Sequence, residues 1–202
     1  MTTSDPRGSG ENGSSPGTGA ALGPAATVAD VRSEAGAASD EDATTTVSVE
    51  EIGFFHLTRS PLERALPRLL QQLLARDEWV FLKCADAEMA ETLDRFLWAF
   101  DPDSFLPHGR VGEGREADQP ILIGWEDIAP ANGAPVAVVV APADLPAAPV
   151  ACRFRRIAYL FDGHDEAIVA RARATYRAAA ALTRVRKYWR QDQKGRWQLV
   201  NQ

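Results

Sequence analysis

The sequence is poor in the residues that build covalent and metal centres. Cys84 and Cys152 are its only cysteines, and histidine occurs three times among 202 residues. Two distant cysteines exclude a disulfide-rich secreted scaffold, and no histidine forms a metal-ligand spacing with them or with acids. The sequence therefore predicts two free thiols, one or both in the core, and no metal site.

Long apolar runs are absent as well. No stretch approaches the roughly 20 apolar residues that a membrane-spanning helix needs, although 45% apolar residues can build one core. The start of the sequence lacks the basic and apolar regions of a signal peptide. These absences predict a cytoplasmic chain with one globular domain and a tail.

Aromatic residues are missing from residues 1–48, which are rich in Gly, Ser, Ala, Thr and Pro and carry scattered acids. Such a composition cannot bury enough apolar surface to offset the loss of chain entropy. We therefore predict a disordered, acidic tail at 1–48 and a folded domain at 49–202. Two alternatives stay open for the tail: a solvated extension, or a flexible tether or decoy for the basic end of the chain.

Charge is distributed unevenly along the chain. Residues 168–202 contain nine Lys/Arg and one acid, Asp192, so this segment carries +8 while the rest carries −14 of the total −6. The acidic body disfavours bulk DNA binding. The basic end invites a local anionic partner, either an acidic peptide or a phosphate.

Short apolar or aromatic runs alternate with helical patterns through the chain. They predict strands near 53–57, 79–84, 121–123, 136–140 and 157–161, and helices near 60–74, 86–97 and 165–182. Such alternation is typical of a parallel or mixed sheet with helices on both faces. After the last helix we expect only a basic tail.

Two helix starts carry recognisable caps. Ser60, Pro61 and Glu63 form the pattern of a capping box with proline at the first helical position. Pro67 inside the same helix predicts a kink or a later start, and the sequence does not decide between them. Asp86 is predicted to cap the second helix.

A long loop at 97–119 carries aromatic residues beside prolines and glycines. Loops of this length are usually functional or disordered, and aromatics argue against disorder. Trp98 and Phe105 have two interpretations of equal weight. They either pack into the core or lie on a partner-binding surface.

The last helix combines cations and an aromatic residue. Arg173, Tyr176 and Arg177 stand at i, i+3 and i+4, so their side chains share one patch. Arginines can fork onto a carboxylate while the ring holds an apolar side chain, which suits a peptide with a free C-terminal carboxylate. The alternative is a solvent-facing basic helix with a partly buried tyrosine.

Four segments carry a resemblance to a known family. They are FFHLTRSPLERALPRLL (54–70), LWAFDPDSFLPHG (97–109), DQPILI (118–123) and RATYRAAAALTRVRKYWRQDQKGRWQ (173–198). Their order and spacing resemble the chi subunit of bacterial DNA polymerase III over about residues 52–200. The resemblance implies a three-layer, Rossmann-like α/β fold.

The resemblance also implies a function. Chi proteins are non-catalytic accessory subunits of the clamp-loader assembly, without a cofactor, that link it to protein-coated single-stranded DNA. Arg173, Tyr176 and Arg177 match the family pattern that binds the acidic C-terminal tail of single-stranded-DNA-binding protein. Trp98 and Phe105 match positions on or near partner-binding surface. The family joins the clamp loader through a small protein called psi, a partnership that this sequence leaves open.

The sequence leaves two rival functions to consider. A nucleotide-dependent or hydrolytic enzyme needs a phosphate loop after the first strand, where this chain reads LTRSPLER, and GRVGEG (109–114) is not a dinucleotide fingerprint. A direct single-stranded nucleic-acid binder would stack bases on the aromatic residues of the basic end. Those residues are Tyr176, Tyr188, Trp189 and Trp197.

Overall fold

The computed structural model describes residues 49–200. The predicted tail at 1–48 lies outside the described residues, so the division of the chain at residue 49 stays a prediction. The described part is an α/β fold with eight strands: β1 Glu51–Leu57, β2 Val80–Lys83, β3 His108–Arg110, β4 Ile121–Gly124, β5 Val136–Val140, β6 Arg156–Asp162, β7 Arg186–Gln191 and β8 Trp197–Leu199. Its helices are α1 Leu62–Leu74, α2 Ala87–Ala99, α3 Ala148–Ala151 and α4 Glu166–Ala178, with 3-10 turns at Glu116–Asp118 and Ala179–Ala181.

The strands form one sheet in the order β3-β4-β2-β5-β6-β1-β7-β8. Every neighbouring pair is parallel except β7 and β8, which are antiparallel. The prediction of a parallel or mixed sheet is confirmed, and each of the five predicted strands is present. Strands β3, β7 and β8 were not predicted from the sequence.

Helices cover both faces of the sheet. α1 and α2 pack their leucines against one face, while α3 and α4 close a second core on the other. Strand β5 is buried along its whole length because it lies between the two cores. This explains its uninterrupted VAVVV sequence and confirms the three-layer architecture.

The start of α1 differs from the prediction. Pro61 occupies the cap position without a side-chain hydrogen bond, so the predicted cap by Ser60 is wrong. The backbone N–H of Ser60 instead donates to Gln191 Oε1 at 3.0 Å. The helix runs from Leu62 through Pro67 without a new start, so the alternative of a later start at Pro67 is excluded. The cap of α2 is confirmed, since Met89 N donates to Asp86 Oδ1 at 2.8 Å.

The basic end of the chain is not a tail. β7 pairs in parallel with β1, from Ile52 opposite Arg186 to His56 opposite Arg190. β8 then closes the sheet as an antiparallel edge. The strand β7 was not predicted because most of its residues are charged or polar. Only Tyr188 and Trp189 pack against the two cores, one on each face of the sheet.

Both cysteines are free, as predicted. Cys84 is buried in the core, and burial raises the pKa of its thiol to about 12. The thiol therefore stays protonated at neutral pH. Between residues 49 and 200, none of the helices combines the length and the apolar character needed to cross a membrane.

Candidate partner-binding surfaces

The first candidate surface lies on α4. Asp165 caps this helix by accepting hydrogen bonds from Ala167 N and Ile168 N at 2.8 and 3.2 Å. Two turns further along, Arg173, Tyr176 and Arg177 share a face, and we call these three residues the α4 patch. Arg173 and Arg177 are exposed, whereas Tyr176 is half-buried.

Tyr176 leans onto the sheet. Its ring meets Phe54 at 5.1 Å and Tyr188 at 6.0 Å between centroids, both edge-on. Arg186 covers the ring with its Cζ atom 4.9 Å from the centroid, and its Nη1 donates to the carbonyl of Tyr176 at 3.1 Å. The tyrosine thereby fixes α4 and the two arginines of the patch over the sheet.

His56, near the carboxyl end of β1, and Tyr188, in the middle of β7, lie beside the patch. The Tyr188 hydroxyl is 3.1 Å from His56 Nδ1, and the imidazole stacks on Phe161 at 4.8 Å. Burial, followed by the charge of Arg190, lowers the pKa of His56. Burial also raises the pKa of Tyr188, whereas the nearby charges of Arg173 and Arg190 oppose that rise.

Three basic residues of the C-terminal region are neutralised by partners. They are Arg171, paired with Asp144 at 2.8 Å, Lys187, paired with Glu51 at 2.8 Å, and Arg196, paired with Asp192 at 3.0 Å. Arg173, Arg177 and Arg190 form no ion pair with any residue between 49 and 200. Exposed positive charge without an ion pair is therefore present at and beside the α4 patch.

The second candidate surface is an aromatic pair, Trp98 and Phe105. Their side chains are 60% and 70% exposed, and their ring centroids are 6.0 Å apart. Of the two interpretations of these residues, the core one is excluded by this exposure. An exposed aromatic pair is typical of a contact site.

Buried neighbours hold the aromatic pair in place. His108 is buried with its ring 4.7 Å from that of Trp98, and its Nδ1 lies 2.6 Å from the carbonyl of Leu106. Leu106 enters the core, and Gln71 Nε2 donates to Ser104 Oγ at 2.8 Å. His108 is thus hydrogen-bonded locally, and the loop is ordered by these anchors.

The backbone positions that could cradle a phosphate are occupied by side-chain oxygens. Gln191 Oε1 accepts the N–H groups of Thr58, Arg59 and Ser60, between 2.9 and 3.2 Å, in the turn from β1 into α1. A Rossmann-like fold would bind phosphate at this turn. In the GRVGEG segment, Glu116 Oε1 accepts from Gly112 N and Gly114 N. Both arrangements oppose a nucleotide site.

The aromatic residues of the basic end do not form one stacking platform. Tyr176 and Tyr188 pack into the core beneath α4. Trp189 stacks on Phe55 on the opposite face, where Trp197 also lies. The sheet separates the two pairs, so a single nucleic-acid strand cannot stack on all four. Across residues 49–200, no group of three or more His, Cys, Asp or Glu is placed to hold a metal ion.

The sequence patterns did not reveal His56 or Arg190 as neighbours of Arg173. His56 lies more than a hundred residues before both Arg173 and Arg190 in the chain. The parallel pairing of β1 with β7 places His56 opposite Arg190. No local motif marks such a contact. The closest signal was the aromatic and basic composition of the last segment.

The fold and these surfaces define a small α/β protein built on a mostly parallel sheet. Residues 49–184, more than half of the chain, match the family described as DNA polymerase III chi subunit, HolC. The chain belongs to this family. β7 and β8 lie beyond the matched residues.

Two curated relatives agree with this assignment. The DNA polymerase III subunit chi of Escherichia coli (strain K12) is 37% identical over 57 residues, which are 26% of this chain and 39% of the relative. A probable DNA polymerase III subunit chi of Rickettsia prowazekii (strain Madrid E) is 25% identical over 97 residues, 48% of this chain and 58% of the relative. This chain thus matches less than two thirds of either relative's length.

Proposed function

We propose that this protein is a non-catalytic subunit that connects the DNA polymerase III holoenzyme to single-stranded-DNA-binding protein. The α4 patch would receive the acidic C-terminal tail of that protein, and contact with DNA would be indirect. The observation that carries the proposal is the exposure of Arg173 and Arg177 on one helix face with no ion-pair partner in the described part of the chain. Two guanidinium groups one turn apart can hold a terminal carboxylate and a neighbouring acidic side chain.

The surroundings of the patch favour a peptide with an apolar last residue. Tyr176, Tyr188 and Phe161 form an aromatic cluster beside the arginines. Arg190 adds a further charge at the same edge, as its effect on the pKa of His56 indicates. An apolar side chain could rest on the cluster while its carboxylate meets the cations.

The test is a titration with a labelled peptide copying the C-terminal tail of the organism's own single-stranded-DNA-binding protein. Arg173→Ala should weaken binding by on the order of 1–3 kcal/mol, because a charged hydrogen bond is lost. Arg171→Ala is the matched control, since Arg171 lies on the same helix but is already paired with Asp144.

A second peptide with an amidated C-terminus tests the role of the carboxylate. Binding should fall for this peptide and at high salt, because exposed charge pairs are screened. Equal losses for Arg173→Ala and Arg171→Ala, or equal affinity for the free and amidated peptides, would contradict the proposal.

We propose further that the aromatic pair attaches the protein to the clamp-loader subunits, through psi where that protein is present. Trp98 lies in the last turn of α2 and Phe105 in the loop before β3, an edge strand. The α4 patch instead packs on Tyr188 of β7, toward the other edge of the sheet. Trp98→Ala with Phe105→Ala should abolish co-elution with the clamp-loader assembly and leave tail binding intact. Ile128→Ala removes another exposed apolar side chain and should change neither. Retained co-elution of the double variant would refute this role.

A further inference from the structure

A cleft separates α1 from the β7–β8 hairpin. It encloses a cavity of about 100 Å³. The residues that define this α1–β8 cleft are Phe55, Arg64, Arg68, Leu69, Leu160 and Trp197. The cleft lies on the α1 face of the sheet, opposite the face that carries the α4 patch. The wall formed by the hairpin lies beyond the residues matched by the family.

The floor of the cleft is apolar. Phe55, Leu69 and Leu160 are buried in the core around the cavity, and their side chains offer no hydrogen-bonding atoms. Trp197 forms a wall, with its ring edge-on to Phe55 at 5.3 Å. A cavity of this size is comparable with cavities that accept a small apolar group such as benzene, about 150 Å³.

The rim of the cleft is positively charged. Arg64 and Arg68 stand at i and i+4 on α1, so their side chains are neighbours. Both are exposed, and neither forms an ion pair with another of the described residues. The nearby hairpin adds Lys194, which is also exposed.

We propose that the α1–β8 cleft binds an acidic peptide segment of a partner protein, with one bulky apolar side chain in the cavity and flanking carboxylates on Arg64 and Arg68. Charge complementarity selects the acidic flanks, and the apolar floor selects the central side chain. Ser60, Gln72 and Gln191 also line the cavity, and these polar side chains can hydrogen-bond the backbone of the bound segment. This site is separate from the α4 patch. It would bind side-chain carboxylates within a peptide segment, whereas the α4 patch would bind a terminal carboxylate.

The test uses the full chain and a fluorescein-labelled Asp-Asp-Leu-Asp-Asp peptide with an amidated C-terminus, followed by fluorescence anisotropy. Removing both rim charges with Arg64→Ala and Arg68→Ala should weaken binding about tenfold at low salt, the combined effect of two exposed ion pairs. Ala65→Phe fills the cavity from α1 and should weaken binding similarly. Replacing the central leucine of the peptide by alanine should reproduce the effect of Ala65→Phe.

The control variant is Arg95→Ala, which removes an exposed arginine from α2 and should leave affinity unchanged. Arg173→Ala should also leave this peptide's affinity unchanged while weakening the tail peptide, so failure of either site can be told from failure of the other. Unfolding temperatures of all variants verify that they are folded.

Three results would overturn the proposal. The rim variant could bind the peptide as tightly as the unaltered chain. An oligothymidine could displace the peptide from the cleft and bind it more tightly, which would assign the cleft to nucleic acid. Neutralising Asp40, Glu41 and Asp42 could be required before the peptide binds, which would make the chain's own acidic segment the occupant.

Discussion

His56 occupies a position where a charged imidazole is disfavoured. Its ring is stacked on Phe161 and hydrogen-bonded to the Tyr188 hydroxyl. The positive charges of Arg190 and Arg173 are near enough to disfavour protonation of the ring and so to lower its pKa. Asp162 acts in the opposite direction but more weakly. The lowered pKa follows mainly from burial. In the folded protein the ring is therefore neutral at pH 7 and acts as a structural hydrogen-bond partner.

This environment predicts a pH dependence of stability. The unfolded chain has a histidine pKa of about 6.5, above that of folded His56, so the unfolded state gains protons first as pH falls. Stability should be complete above about pH 6.5 and decline toward the lower folded pKa. His56→Gln should flatten the decline of the unfolding temperature between pH 7 and 5.

The comparison for this experiment is His164→Asn, since His164 is exposed beside Asp162. This variant should keep the decline of the unfolding temperature between pH 7 and 5 that His56→Gln flattens. A His56→Gln profile parallel to that of the unaltered chain would show that the ring titrates normally.

At the scale of elements, Gln191 joins the end of β7 to the turn between β1 and α1. Its Oε1 accepts three backbone N–H groups, and Thr58 Oγ1 donates to its carbonyl at 3.1 Å. Gln191→Leu should lower the free energy of unfolding by about 1–3 kcal/mol, because partly buried donors lose their acceptor. Urea unfolding measures the change.

Two further variants sharpen this prediction. Gln191→Glu keeps an acceptor oxygen and should retain most of the stability. Gln193→Leu changes an exposed glutamine two residues away and should have little effect. A Gln191→Leu variant as stable as Gln193→Leu would mean that the three N–H groups find other partners.

Predictions of individual elements succeeded where local pattern and burial agreed. Strand β5 and the Asp86 cap followed from a continuous apolar run and from one carboxylate at the right spacing. Ser60 failed as a cap because its backbone is held by Gln191, a residue 131 positions further along the chain. β7 was missed because its sequence is charged and lacks the apolar pattern of a strand. Its backbone hydrogen bonds to β1 depend on tertiary pairing, which the local sequence does not show.

At the scale of the whole molecule, stability is expected to be greatest at the centre of the sheet. β1, β5 and β6 are neighbours in the interior of the sheet, whereas β3 and β8 are its edges. Hydrogen exchange should therefore be slowest in the central strands and fastest in β8, since its three residues pair only with β7. Mass spectrometry of peptic fragments measures the order, and equal protection of β8 and β6 would contradict it.

The chain's negative charge is also unevenly placed at this scale. Residues 1–48 hold seven acids and two arginines, so they carry −5 and the remainder only −1 of the total −6. The folded part is therefore nearly neutral, and exposed arginines without an ion pair among the described residues lie at both the α4 patch and the α1–β8 cleft. This distribution makes local binding of acidic segments compatible with an acidic whole chain.

The sequence by itself determined the fold class, the order of most elements and the family resemblance. These depend on periodicity and on short local motifs, which are visible in the linear sequence. The tertiary structure alone decided that the basic end becomes two strands, that Gln191 and Glu116 occupy the phosphate positions, and that His56 and Arg190 meet beside Arg173. It also built the α1–β8 cleft. Each of these depends on contacts between distant residues, and no local pattern records which strand a distant segment will pair with.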